Sequence, residues 1–325
     1  MKRDALKRRL PAIGVLSVAL VFPLVHPNSY HIDVIVGAGI FMILALGLNV
    51  IVGYAGILNL GYAALFAIGA YVYAILNTRY HVPFGIGLVI SAFVTAGAGM
   101  LLASPALRLS GDYLAIVTLG SGEIVRIALN NVDSVTGGPN GLLGIDHPSL
   151  WFGQFDFGVR STPYYYLIFG ILLALIFYLK RLENSRIGRA WIALREDELA
   201  ASCMGINVAW AKLTAFGIGG FIAGIAGCVF ASKQGTVSPD SSDFVTSVMV
   251  LAMVVLGGLG NINGVLLGAL LLSVLPEFLR SFEIYRMLLF GLAMILVMLF
   301  RPQGLLGETH HREEFRAAKK RGAAA

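Results

Sequence analysis

Phe244–Leu275 reads FVTSVMVLAMVVLGGLGNINGVLLGALLLSVL, 32 residues without one Asp, Glu, Lys or Arg. About 20 apolar residues carry an α-helix across the hydrocarbon core of a bilayer. The stretch is too long for one crossing. Its middle, Gly257-Gly258-Leu259-Gly260-Asn261-Ile262-Asn263-Gly264, supplies the turn residues that divide it. The reading is a membrane hairpin, Phe244–Leu259 followed by Val265–Leu279.

The same test applied outward adds Leu10–Val25, Val34–Val52, Ile57–Leu76, Phe84–Ala103, Tyr113–Leu129, Tyr164–Leu179, Leu213–Ala231 and Ile284–Phe300, about ten spans in all. The fold class is all-α: a polytopic transmembrane helical bundle that includes interrupted helices. Composition agrees. Of 325 residues 57% are hydrophobic and only 13% charged, against about 25% charged in soluble domains. Mean hydropathy is +0.80. No soluble domain is large enough to fold alone.

The net charge of +6 does not mark a nucleic-acid binder, because the cations cluster in Met1–Arg9, Lys180–Arg195 and Arg301–Arg321. That is the pattern of cytoplasmic segments under the positive-inside rule. Ten crossings from an inside N-terminus return the C-terminal tail inside and place Asn131–Thr162 and Ser232–Asp243 outside. Dropping the weakest span, Tyr113–Leu129, breaks this agreement. The organisation is then a cytoplasmic basic N-terminus at 1–9, a transmembrane domain at 10–300 with a large inside loop at 181–212, and a cytoplasmic tail at 301–325. Leu10–Val25 follows a basic stretch as in a signal peptide, but it ends in Phe22-Pro23-Leu24-Val25-His26 without a small-residue cleavage site. It reads as an uncleaved first span.

Four segments carry candidate chemistry. Gly53-Tyr54-Ala55-Gly56-Ile57-Leu58-Asn59-Leu60-Gly61-Tyr62 separates two spans. It is either a tight turn with small residues for helix packing, or irregular backbone lining a cavity and aiming helix ends at a substrate. Asn59, Gly61 and Tyr62 are its candidate path residues. Glu123, Arg126 and Asn130 share one helix face; ionisable groups inside a span pair with each other or face a cavity, so a structural pair and a substrate-facing one are both open. Thr136-Gly137-Gly138-Pro139-Asn140-Gly141 is a shaped outside loop, which docks a partner, shapes the entrance or is a plain turn. In the inside loop, Ala190–Met204 is helix-former sequence closed by Gly205 in the position of a C-terminal cap. Such a short helix, with Ala200 and Ala201 exposed, suits docking into a groove of another protein; a helix lying on the membrane surface is the alternative.

No Gly-rich phosphate-binding loop of the Walker type occurs. No Ser/His/Asp, zinc or paired-carboxylate arrangement stands out, the six histidines lack metal-ligand spacing, and Cys203 and Cys228 are not placed to pair. The reading is a non-enzymatic chain with no catalytic residue, no metal and no cofactor of its own.

Taken together, Gly53–Tyr62, Gly111–Arg126, Thr136–Gly144, Gly188–Asn207, Ala223–Gly227, Gly257–Ala269 and Arg301-Pro302-Gln303-Gly304-Leu305 resemble the permease subunits of branched-chain amino acid ABC importers, of the LivM type. The resemblance runs from about Val34 to Gly307. It implies a bacterial inner-membrane protein that forms a heterodimer with a second related permease. It also implies two cytoplasmic ATPase subunits that bind ATP-Mg, and a periplasmic solute-binding protein that delivers the amino acid. Leu199–Gly205 looks like the family's coupling motif, in which Glu-Ala-Ala is followed after three residues by Gly. Ala200, Ala201 and Gly205 match, Leu199 stands in the Glu position and Glu198 one residue earlier; Arg195 and Glu198 join them as coupling residues. An ion-coupled secondary transporter, a membrane-embedded enzyme and a passive channel are the competing readings.

Overall fold

The computed structural model describes residues 29–109, 111–148 and 161–278, with Pro23, Gly291, Leu292, Ile295, Gly304 and Leu305. The basic N-terminus lies outside the described residues. So does nearly all of the expected spans Leu10–Val25 and Ile284–Phe300 and of the tail.

Ten α-helices of six or more residues organise the described chain, beside a single turn at Asp133–Thr136. They are α1 (Ser29–Leu48), α2 (Tyr62–Tyr80), α3 (Phe84–Ala103), α4 (Asp112–Asn131), α5 (Ser161–Glu183), α6 (Arg186–Glu196), α7 (Glu198–Cys203), α8 (Val208–Gln234), α9 (Phe244–Gly257) and α10 (Ile262–Phe278). α1 runs on into π-helical turns over Asn49–Tyr54. Six segments are long and apolar enough to cross a membrane: Ser29–Tyr54, Phe84–Ala103, Tyr113–Asn131, Ser161–Glu183, Val208–Gln234 and Pro239–Gly257. Ile262–Glu277 is apolar but shorter. The chain is a polytopic helical membrane protein.

Most span ends shift by a few residues, and one span and the inside-loop helix differ from the sequence reading in kind. The span expected at Ile57–Leu76 starts only at Tyr62 and ends in the polar turn Asn77-Thr78-Arg79-Tyr80. Residues 56–61 are not helical. The helix expected over Ala190–Met204 breaks at Asp197 (φ −159°, ψ 116°), whose side chain accepts from the Ala200 N–H at 2.9 Å. An Asp at that position caps a new helix better than it continues an old one.

The core is built on α8, which packs against α3, α2 and α1. Lipid tails are as apolar as leucine, so helices in a bilayer associate through close packing of small residues. α8 supplies them. A Cβ at Gly220 would lie 2.7 Å from the Thr95 carbonyl oxygen, and one at Gly224 2.7 Å from that of Ser91. On the α2 side, a Cβ at Gly69 would lie 2.6 Å from Gly224 Cα. α9 and α10 form the hairpin read from the uncharged stretch, with Gly257 against the backbone of Gly264.

At one end of the bundle the loop after α4 meets the segment before α9 in a two-residue antiparallel ladder, β1 (Leu142–Leu143) with β2 (Thr236–Val237). At the other end lie α6, α7 and the α9–α10 turn.

Candidate functional site

Beyond the π-helical turns the chain runs irregularly through residues 56–61 and enters α2 alongside the middle of α4. Side chains satisfy the exposed backbone donors there. The Leu60 N–H donates to Thr118 Oγ1 at 3.2 Å, the Gly61 N–H to Asn59 Oδ1 at 2.9 Å and the Ala63 N–H to Ser247 Oγ at 2.9 Å. Non-helical backbone is tolerated inside a bundle on this condition. Contact with α4 is close: a Cβ at Gly61 would collide with the Thr118 carbonyl oxygen, and one at Gly122 would lie 2.8 Å from Gly61 Cα. Tyr62 is fully buried and its O–H donates to the Gly219 carbonyl of α8 at 2.9 Å.

Above this junction is a cavity of about 20 Å³ whose lining includes Gly61, Gly122, Glu123, Arg126, Asp243 and Ser247. That volume suits about one water and is too small for an amino acid. Arg126 Nε donates to both carboxylate oxygens of Glu123, at 2.9 and 3.1 Å, and Nη1 lies 3.7 Å from Asp240 Oδ1. The pair is half-buried, with the two side chains 33% and 39% exposed. Of the expected path residues, Gly61, Glu123 and Arg126 line the cavity, while Asn59 and Tyr62 anchor its floor. Asn130 is not part of the lining. Its carbonyl lies farther along α4, 3.4 Å from where a Cβ on Gly138 would sit.

The Gly137–Asn140 loop is a built turn. Gly137 (φ 75°) and Gly138 (φ 59°) occupy the left-handed region, and Pro139 and Asn140 complete a short 3₁₀ turn. Thr136 Oγ1 donates to the Leu129 carbonyl at 2.7 Å and accepts from the Gly138 N–H at 3.3 Å. The backbone of Gly141 is pressed against Val237 and Ser238. This loop and the β1–β2 ladder close that end of the bundle.

At the opposite end, Trp191 on α6 is fully buried, and its Nε1–H donates to the Ala211 carbonyl of α8 at 2.9 Å. Arg195 Nη1 donates to the Gly53 carbonyl at 2.9 Å. Glu198 receives the ammonium of the buried Lys212 at 2.7 Å. Gly205 takes φ 82° and ends α7, with the Ile206 N–H returning to the Ala201 carbonyl at 3.1 Å; this is the left-handed cap expected from the sequence. Ala200 is exposed, but Ala201, expected to be exposed, is buried at 3%. The break at Asp197 resets the helix phase, so one alanine of the pair faces inward. Outward from the same element stand Leu199 and Met204, 75% and 84% exposed.

Residues 30–298 match the family model described as the branched-chain amino acid transport system / permease component. The chain belongs to that permease family. It is similar to the high-affinity branched-chain amino acid transport system permease protein LivM of Salmonella typhimurium, with 44% identity over 98% of this chain and 80% of the relative. To LivM of Escherichia coli K12 it is 43% identical with the same coverage. To the permease protein LivH of that strain it is 28% identical over 82% of this chain and 91% of LivH. No solved structure matches it significantly.

In this permease the sequence reading missed Asp240, Asp243, Ser247 and Lys212. Asp243 left a signal, since it stands directly before the uncharged run and its Oδ1 caps α9 through the Thr246 N–H at 3.0 Å. Lys212 left a weaker one, as the last charge before an apolar span. Ser247 has none, because a single serine in an apolar helix is compatible with any packing role.

Proposed function

We propose that this chain is the LivM-type permease subunit of a bacterial ABC importer that carries Leu, Ile, Val or similar small polar solutes across the inner membrane. A second related permease completes the membrane part. Two cytoplasmic ATPase subunits dock at α6–α7 and supply the ATP-Mg chemistry; this chain binds no cofactor. A periplasmic solute-binding protein docks over Gly137, Gly138, Pro139 and Asn140. Membrane lipid surrounds the remaining apolar faces, both termini are cytoplasmic and the spans number about ten.

The observation that carries this reading is the shape of α6–α7. Arg195 and Glu198 tie this charged element to the bundle, while Leu199 and Met204 project outward among its exposed ionic groups. Exposed apolar side chains on an otherwise polar element mark a surface meant for a partner. Arg195 and Glu198 then act in coupling by tying the docked element to the bundle, with Ala200, Ala201 and Gly205 setting its shape. ATPase closure moves α6–α7, the Arg195–Gly53 bond passes the displacement to residues 53–61, and the small cavity at Gly61 widens.

The test is uptake of labelled leucine into proteoliposomes holding this chain, its partner permease, both ATPases and the binding protein. Uptake should require ATP and vanish when the ATPases are omitted. Uptake driven by an ion gradient without ATPases would overturn the proposal in favour of a secondary transporter.

A further inference from the structure

A second cavity, of about 180 Å³, lies beneath the first, between residues 55–58, the start of α4 and the α6–α7 element. Its charged walls are Arg195, Glu198 and Lys212, and its apolar walls include Ile57, Leu58, Leu114 and Leu194. Lys212 is 3% exposed. Its ammonium carries three N–H donors, of which one reaches Glu198 at 2.7 Å and another the Leu109 carbonyl at 3.3 Å.

The geometry points to a binding site for a free aliphatic amino acid entering from the cytoplasmic side, through which accumulated product slows the importer. The inference rests on the proposed direction of transport and deepens it. The chemistry of the walls selects the ligand. Two cations and one carboxylate match a zwitterion: the ligand carboxylate faces Arg195 and the third N–H of Lys212, and its ammonium faces Glu198. Such charge-assisted bonds are shorter and stronger than neutral ones, and the burial of Lys212 adds to this at its end of the cavity. The four aliphatic walls take the side chain. An apolar cavity of about 150 Å³ holds a benzene ring, so the volume suits an amino acid of leucine's size. A nucleotide is larger and carries more negative charge than a wall with one excess cation balances.

The walls also explain regulation. Leu194, Arg195 and Glu198 belong to the coupling element, Leu114 to α4, and Ile57 and Leu58 to the irregular segment. A ligand that touches all three binds tightly only while they keep this spacing, and it shifts the cycle by its difference in affinity between states. At ten times its dissociation constant it disfavours the competing state roughly tenfold.

Two measurements test this. Labelled leucine is first titrated against the purified permease–ATPase complex without binding protein. Saturable binding is expected, and Leu58→Trp, which plugs the cavity, should weaken it at least tenfold. In the second, binding protein and leucine are sealed inside proteoliposomes and ATP is added outside, so that only complexes with their inner face outward turn over. Added external leucine should lower ATP hydrolysis severalfold, whereas glycine should not. The ratio with and without leucine is read within each variant, and in Leu58→Trp it should approach one. Should that variant fail to assemble, Leu58→Phe is read the same way. Absence of binding, or inhibition that Leu58→Trp leaves intact, overturns the inference. Complexes that bind leucine yet never hydrolyse ATP would instead refute the importer reading alone.

Discussion

Gly61→Ala is the sharpest test of the junction between α2 and α4. Gly61 has φ −100°, a conformation open to any residue, so the substitution adds no backbone strain. What it adds is one methyl group aimed at the Thr118 carbonyl, with the Gly122 nitrogen 3.2 Å away. Both neighbours are helical backbone of α4, which cannot swing aside as a side chain does. Overpacking of this kind costs about 1–3 kcal/mol. If the cost falls on one of two alternating states, it corresponds to a shift of roughly 5- to 150-fold, since about 1.4 kcal/mol is a factor of ten. Leucine uptake, normalised to permease recovered in the membrane, should fall within that range while insertion persists. Gly120→Ala is the matched control: it lies on α4 itself, and a Cβ there meets nothing within 4 Å. It should transport within about twofold of wild type, as substitutions without new contacts do. Wild-type uptake by Gly61→Ala, or an equal loss in Gly120→Ala, would refute the assignment of this contact to the transport cycle.

Gly205→Asp should retain membrane insertion but lose leucine uptake and co-purifying ATPase. It combines left-handed strain of about 1–2 kcal/mol with a new charge on the docking face, and Gly205→Asn should recover most of the loss because Asn tolerates that conformation. Glu198→Ala leaves the buried Lys212 without its carboxylate and should cost a few kcal/mol in thermal unfolding of the complex; adding Lys212→Met should restore part of it, and equal melting of both variants would count against the pair. Trp191→Phe removes the bond to the Ala211 carbonyl, worth about 0.5–1.5 kcal/mol, and should lower the melting temperature by a few degrees without abolishing uptake.

The membrane architecture was legible because it is written in long uncharged runs. Phe84–Ala103 has the same bounds in sequence and structure, and Phe244 opens α9 as read. Hydropathy reports what can lie in lipid, however, and not where a helix begins. Ile57 and Leu58 are as apolar as the residues of α2, yet they lie outside any helix, and the next donors, the N–H groups of Leu60, Gly61 and Ala63, go to Thr118, Asn59 and Ser247 instead of to a helical ladder. Asn59 is local, but Thr118 and Ser247 lie on α4 and α9, so no local window contains the whole signal. The Glu123–Arg126 pair was visible from its spacing, but Asp240 and Asp243 reach the same place only through the tertiary fold. Asp197 was a failure of another kind. Its helix-breaking role was present locally, and the strong helix formers on both sides outweighed it.

The distribution of close contacts sets which parts of the permease can move against which. α8 is joined to α3 and α2 through backbone contacts that leave no room for a methyl group, and packed interfaces of that kind resist small continuous deformation. The span windows differ in the same sense, 72% buried for Val208–Gln234 against 17% for Tyr113–Asn131. Among the described residues α4 is the less buried, held mainly at Gly61–Gly122, by the Leu60–Thr118 bond and by the Arg126–Asp240 contact. The α6–α7 element meets the same stretch of chain from the other end, through Arg195 and Gly53. Residues 53–61 are bonded to both and carry no helical ladder of their own beyond Tyr54. A displacement at α6–α7 thus reaches α4 through a segment that can change conformation without unpacking the core, which is why one methyl group at Gly61 should register in transport rather than in insertion.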